Sequence, residues 1–241
     1  MPDDKASTGS WSLLAHRYAE VTDDVRLRFL HPAILGAVTD DTRERSACLD
    51  YGCGPGHLAL ALSSLFDKLV LVDIAPGALE EASRRLGARA QVLSREEFAV
   101  GDATFDAIVL SLVLTTLADD KDVGCMLQNL SARLTKGGRL FLGTTHPCFT
   151  FSALSQVPYC STGAKYQVQI EPGLEITEYH RPLSRVIELL VQSSLRILRV
   201  REVYDDPDYY RSRGEEPPRF AGAFPMFLIL TCDRPSSTGA P

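Results

Sequence analysis

The stretch that most constrains this chain is Leu49-Asp50-Tyr51-Gly52-Cys53-Gly54-Pro55-Gly56. It follows a short apolar run, Ala47-Cys48-Leu49, and leads into Leu58-Ala59-Leu60-Ala61-Leu62, which is rich in strong helix formers. The order is strand, turn, helix. Three glycines at alternate positions let the backbone turn sharply and keep side chains out of the space above the loop. A pyrophosphate fingerprint, G-x-G-x-x-G, is one residue longer than the spacing here, where His57 follows Gly56. Asp50 would also face the phosphates of a dinucleotide, and like charges at close range repel. A cationic or zwitterionic ligand suits the loop better, and a glycine turn with no ligand is the plain structural alternative.

A second apolar run, Lys68 to Val72, ends in Asp73, about 20 residues after Asp50. A carboxylate at the tip of strand 2 can accept hydrogen bonds from both hydroxyls of a ribose lying over the first βαβ unit. It could equally cap the next helix, whose start Pro76 marks. With these two acids in place, D-x-G-x-G-x-G resembles motif I of the class I S-adenosylmethionine-dependent methyltransferases, small-molecule type. Later stretches support the likeness. Phe105-Asp106-Ala107-Ile108-Val109-Leu110 resembles motif IV, and Lys136-Gly137-Gly138 followed by the strand Arg139 to Gly143 repeats the family's order. His180-Arg181-Pro182-Leu183-Ser184 resembles an H-R-P-L-S stretch of its small-molecule members.

The resemblance implies an α/β, Rossmann-like, seven-stranded and mostly parallel sheet with helices on both faces, an antiparallel last strand, an N-terminal cap helix and an inserted lid. It implies S-adenosylmethionine as cofactor, S-adenosylhomocysteine as its product, and a site lined by Asp50, Gly52, Gly54, Asp73 and Ile74. Family members often carry an acid after strand 3 that binds the adenine amino group, but this chain has Ser94-Arg95 there, so Ser94 and Arg95 are the adenine candidates. Ser111 and Leu112, at the end of strand 4, should border cofactor and acceptor, because ligands sit beyond the carboxyl ends of the strands near the switch in strand order.

Toward the N-terminus, Trp11, Leu14, Ala15, Tyr18, Val21, Val25 and Phe29 recur at helical spacing, with a break near Thr22-Asp23-Asp24. Such helices often close over the cofactor in this family, which makes Tyr18 and Arg17 candidates for its carboxylate. A helix simply packed on the sheet is the alternative. The expected organisation is a loose tail 1–10, one domain over 11–232 with cap helices in 11–44 and a lid in 150–178, and a loose tail 233–241. The lid expectation rests on an irregular stretch where Phe149, Phe151, Tyr159 and Tyr166 alternate with Ser, Pro and Gly. A helix is expected from Glu178 to about Gln192, strand 6 over Arg196 to Tyr204, a charged loop from Asp205 to Arg219, and the last strand from Phe224 to Thr231. Helices are also expected over Gly77–Leu86 and Asp119–Thr135, with the third strand at Ala90–Leu93.

Composition narrows the partners. With 25 Lys plus Arg against 31 Asp plus Glu, a formal charge of -6 and no dense basic run, a nucleic-acid substrate is disfavoured. The first residues carry no apolar signal core and Ile108 to Leu117 is too short to span a bilayer, so a cytoplasmic protein without membrane contact is expected. Six cysteines without a C-x-x-C pair argue against zinc and against a disulfide framework. The reading is an enzyme that moves a methyl group from S-adenosylmethionine to an O or N atom of a small molecule, such as a natural product, by in-line displacement. An S-adenosylmethionine-binding regulator or scaffold without transferase activity would keep the same loop and Asp73. His146, held at the carboxyl edge of strand 5 by Pro147, is the candidate general base, with a structural histidine as the alternative. His180 is a second candidate that could instead pack the helix after it. His57 is assigned no chemistry, since a helix N-terminus disfavours a cation.

Overall fold

The computed structural model describes residue 11 and residues 14–149, 157–171 and 174–235. The expected tail 1–10, residues 236–241 of the expected tail 233–241, and residues 150–156 and 172–173 of the expected lid lie outside the described residues.

A seven-stranded sheet runs in the order β3-β2-β1-β4-β5-β9-β8. Its strands are β1 (Ala47–Tyr51), β2 (Lys68–Asp73), β3 (Gln91–Ser94), β4 (Phe105–Ser111), β5 (Leu134–Thr145), β8 (Arg196–Val203) and β9 (Phe227–Asp233). Strands β3, β2, β1, β4 and β5 are parallel, and β9 lies antiparallel to both β5 and β8. The fold expected from the resemblance is present. Strand order reverses between β1 and β4, which places the switch point beside Asp50.

Both faces of the sheet are covered, and this is why its central strands read as continuous apolar runs rather than alternating ones. In β4, Ala107 and Val109 join the core under α1 (His31–Asp41), α2 (His57–Leu62) and α3 (Pro76–Leu86). Ile108 and Leu110, one residue out of step, join the core under α5 (Asp120–Ala132) and α6 (Leu183–Gln192). Helix α1 can cross β5 closely because position 143 is glycine; a Cβ there would meet Ile34 Cδ1 at 2.7 Å. The short helix α4 (Arg95–Val100) follows β3 directly.

Residues 14–20 are helical and the chain breaks at 21–24, as the sequence leads one to expect. A π-helical turn, Arg26–Leu30, then leads straight into α1. Asp24 drives that restart by accepting from the backbone N–H groups of Arg26 and Leu27, both at 2.8 Å.

The region expected to be irregular is partly a hairpin, β6 (Lys165–Glu171) with β7 (Leu174–Tyr179). This corrects the helix expected from Glu178. Glu178 and Tyr179 belong to β7, and α6 starts only at Leu183, after Pro182. Tyr166 pairs with Glu178 and Val168 with Ile176, and the alternation turns Tyr166, Ile176 and Glu178 inward. Helix α5 ends at Ala132 rather than Thr135, because Leu134 already pairs with Phe105 in the sheet. The expected charged loop after β8 contains one short helix, α7 (Pro207–Ser212), capped by Asp206. Strand β9 extends to Asp233, whose carboxylate accepts from Arg196 at 2.8 and 3.0 Å. No helix among the described residues is long and apolar enough to cross a membrane.

Candidate functional site

The three glycines after β1 do different jobs. A Cβ on Gly52 would meet Val113 Cγ2 at 2.3 Å, so this position lets the loop lie against the turn that follows β4. A Cβ on Gly56 would crowd Ala82 and Leu86 of α3 at 3.0 to 3.4 Å, so this position sets the packing of α2 on α3. Gly54 has a φ of +53°, and a Cβ there would meet nothing within 4 Å among the described residues, so its backbone borders open space. The loop is therefore fixed at both ends and clear in the middle.

Two carboxylates stand behind it. Asp50 is buried, and its Oδ2 has no hydrogen-bond partner among the described residues. Burial, and secondarily the charge of Asp73, push its pKa up to about 7. Asp73 Oδ2 accepts from Gly54 N and its Oδ1 from Ala75 N, each at 2.9 Å. Burial pushes the Asp73 pKa up while these amides hold it down. Asp73 thus ties the glycine loop to the start of α3, and a carboxylate's roughly four lone-pair sites leave capacity for two more donors. Ile74 follows it in the bend before α3.

Other expected site residues fall around this centre. Ser111 ends β4, and Leu112 after it takes the left-handed conformation with a φ of 61°, its N–H donating to Gly143 O at 2.8 Å. A non-glycine residue in that region is strained, and such strain concentrates at functional sites. Ser94 ends β3 beside Asp73, but its hydroxyl accepts from Glu97 N at 3.2 Å in a capping box while Glu97 accepts from Ser94 N at 2.7 Å. The cap engages the Ser94 side chain in holding α4. Arg95, the first residue of α4, lies 3.9 Å from Glu96 by its Nε.

The N-terminal helix does reach the loop. The Tyr18 ring meets His57 edge-on with centroids 5.4 Å apart. Burial, with Asp24 and Glu178 adding and Arg26 opposing, pushes the Tyr18 phenol up to about 12. Arg17 is exposed. Arg85 of α3, which sequence reading passed over, donates to Pro55 O at 3.0 Å and Ala19 O at 2.9 Å and lies 3.2 Å from His57 Nε2. One guanidinium therefore joins the cap helix to the glycine loop. Burial and then Arg85 hold the His57 pKa down.

His146 is at the expected edge of β5, but its ring is buried and turned toward the antiparallel side of the sheet. Its Nδ1 accepts from Cys148 N at 3.1 Å and its Nε2 lies 3.4 Å from Glu202 on β8. Burial lowers its pKa and Glu202 partly restores it. His180 donates through Nε2 to Tyr159 O at 2.8 Å, and its backbone bonds both Ala164 and Gly163, so it staples the segment before β6 to the end of β7. Arg181 was seen in the sequence only as part of a motif. In the fold it is buried, donates to Asp120 at 2.7 Å, and also donates to the carbonyls of Leu114 and Leu117 at 3.0 and 2.6 Å. It holds the turn after β4. No group of His, Cys, Asp and Glu among the described residues is arranged to hold a metal ion.

Comparison with known proteins bears on the same loop. Residues 48–138 match the family described as a methyltransferase domain. This methyltransferase match covers β1 to the start of β5. Among curated relatives, the ribosomal protein L11 methyltransferase of Cupriavidus pinatubonensis is 40% identical over 99 residues, 39% of this chain and 30% of that protein. Nodulation protein S of Rhizobium tropici is 29% identical over 99 residues, 40% of this chain and 42% of that protein. The chain therefore spans less than half the length of the curated relatives it matches. Among solved structures, the N-methyltransferase NodS of Bradyrhizobium japonicum in complex with S-adenosyl-l-homocysteine superposes with a TM-score of 0.64 at 18% identity, covering 94% of this chain and 100% of that one. The fold is the Rossmann-like methyltransferase fold.

Proposed function

We propose that this chain is an enzyme that transfers a methyl group from S-adenosylmethionine to an O or N atom of a small molecule. The observation that carries the reading is Asp50: a buried carboxylate oxygen with no partner among the described residues, set behind a glycine loop whose middle borders open space. A buried anionic group of this kind needs a cation or a donor, and the α-ammonium of the cofactor's methionine part is such a group. Asp73 is placed for the ribose hydroxyls, with Gly52 and Gly54 as the cradle, Ile74 beside the ribose position, and Ser94 and Arg95 at the adenine end. Ser111 and Leu112 border both cofactor and acceptor, and Tyr18 closes the methionine end. The NodS structure was determined with the demethylated product, which supports the same cofactor here.

When bound, S-adenosylmethionine supplies a methyl already activated as part of a sulfonium. The chain's own task is to align an acceptor atom with that methyl and to exclude water. Orientation of two bound reactants can supply about 7 to 11 kcal/mol, whereas a positioned base contributes about 10² to 10⁴ fold. We assign strands β6 and β7 as part of the cover over the acceptor. His146, turned toward Cys148 and Glu202, is better placed to orient the end of β5 than to meet an acceptor.

A small acceptor is favoured by the formal charge of -6 and by the aromatic cover. The L11 methyltransferase name points to a protein acceptor, but the likeness to that relative is confined to a 99-residue stretch. The test is a calorimetric titration with S-adenosylhomocysteine beside NADH. Micromolar binding of the former alone is expected. Binding of NADH instead, or of neither, removes the assignment.

A further inference from the structure

Glu178 has no part in the cofactor site, yet it is among the most buried acids of the molecule, at 1% exposure. Its Oε2 accepts from Tyr166 of β6 at 2.5 Å and from Thr145 of β5 at 3.2 Å, and Thr115 after β4, whose hydroxyl donates to Leu112 O at 3.1 Å, lies close by. Arg26 and Tyr18 of the N-terminal segment feel its charge. Arg26 is itself bonded to Asp24 at 2.7 Å. Among the described residues Glu178 therefore has hydroxyl donors around it but no ion-pair partner of its own.

Its place in the fold gives this a meaning. Thr145 is the last residue of β5 and Thr115 follows β4, both at the carboxyl edge of the sheet on the side of the switch point away from Asp73. The hairpin brings Glu178 onto that edge, against Thr145, and within electrostatic reach of Tyr18 and Arg26 of the N-terminal segment. If the cofactor lies over β1 and β2, this is where an acceptor meets the methyl.

We infer that Glu178 binds the acceptor's nitrogen and takes its proton, so that the acceptor is an aliphatic amine. This inference rests on the methyltransferase reading above. An ammonium entering the site gives one proton to a Glu178 oxygen; the N–H bond breaks and its electron pair stays on nitrogen. That lone pair forms the new N–C bond as the C–S bond breaks, and the pair of the broken bond stays on sulfur. The methylated ammonium leaves, and Glu178 returns its proton to solvent.

The electrostatics select amine over phenol or alcohol. Burial raises the Glu178 pKa, while Tyr166, Arg26, Thr145 and Thr115 restrain the rise. The same desolvation lowers the pKa of an ammonium, so the two move toward each other and proton transfer becomes easier. A phenol moves the opposite way, as Tyr18 shows in this same cluster by rising to about 12.

The test uses full-length protein loaded with S-adenosylhomocysteine and titrated with benzylamine and phenethylamine, beside 2-phenylethanol and 4-ethylphenol. The amines should bind, the hydroxyl compounds at least 10-fold more weakly, and Glu178→Gln should weaken amine binding by 10-fold or more. Glu178→Asp should recover part of the loss. Unchanged binding of S-adenosylhomocysteine by Glu178→Gln shows that the variant is folded. The inference is overturned if no amine binds, if the hydroxyl compounds bind as well as the amines, or if Glu178→Gln binds amines like the parent. Failure of the parent to bind S-adenosylhomocysteine at all would instead overturn the methyltransferase reading.

Discussion

Asp73 offers the sharpest test of the cofactor site, because its two possible roles can be separated. In the structure each of its oxygens already accepts one backbone N–H, from Gly54 and from Ala75, at 2.9 Å. If the remaining lone pairs take the two ribose hydroxyls, each bond to the charged group is worth about 1.5 to 3 kcal/mol. Removing both hydroxyls from the ligand should then cost about 3 kcal/mol or more, roughly 100-fold in affinity. Asp73→Ala loses these bonds and also releases two buried amides, which should lower stability by about 1 to 3 kcal/mol. The decisive assay is a cycle: calorimetric affinities of S-adenosylhomocysteine and its 2′,3′-dideoxy analogue for the parent and for Asp73→Ala. The analogue should be penalised in the parent and scarcely at all in the variant. An equal penalty in both proteins would show that Asp73 organises the loop without touching the ribose.

Three further outcomes are expected. Asp50, raised from 3.8 to about 7, carries more protons folded than unfolded between those values. Its ionised form in the folded protein therefore costs stability that appears as pH rises from about 4 to 7, amounting to about 4 kcal/mol. Asp50→Asn should raise the Tm at pH 8 but not near pH 4, and should remove the rise in S-adenosylhomocysteine affinity through pH 7 expected of the parent; a parallel pH profile of Tm in both proteins would refute this. Gly52→Ala, driven into Val113 at 2.3 Å, should destabilise the fold strongly, whereas Gly54→Ala should cost only about 1 to 2 kcal/mol for its left-handed backbone yet weaken cofactor binding at least 10-fold, as paired melting and calorimetry will read. Arg181→Ala leaves Asp120 with one fewer partner and three carbonyls after β4 short of a donor, and should cost about 3 to 5 kcal/mol by denaturant unfolding; a loss under 1 kcal/mol would contradict the clamp.

What the sequence determined by itself is local or repeated along the chain. Leu49 to Gly56 announced strand, turn and helix, since turn geometry is written in the residues that adopt it. The buried parallel strands were legible as apolar runs, and Asp50 and Asp73 could be placed because each stands at the end of such a run. The break before Arg26 was visible in Thr22-Asp23-Asp24 for the same reason. Tertiary structure alone decided which groups from distant segments meet. The His180-Arg181-Pro182 stretch stood out in the sequence, yet Glu178 just before it was expected to start a helix. Its burial follows from pairing opposite Tyr166 across a hairpin and docking on Thr145, and cross-strand register leaves no mark on a single strand's own residues. Arg85 likewise acquires its role only when α3 folds back against the loop and the cap helix. His146 shows the converse: its position at the edge of β5 was readable, but the direction of its ring was set by Cys148 and by Glu202 on β8, a strand formed much later in the chain. Backbone placement follows from local preference and hydrophobic period, whereas the partners of a polar side chain are settled by long-range packing, where burial makes every unpaired group costly.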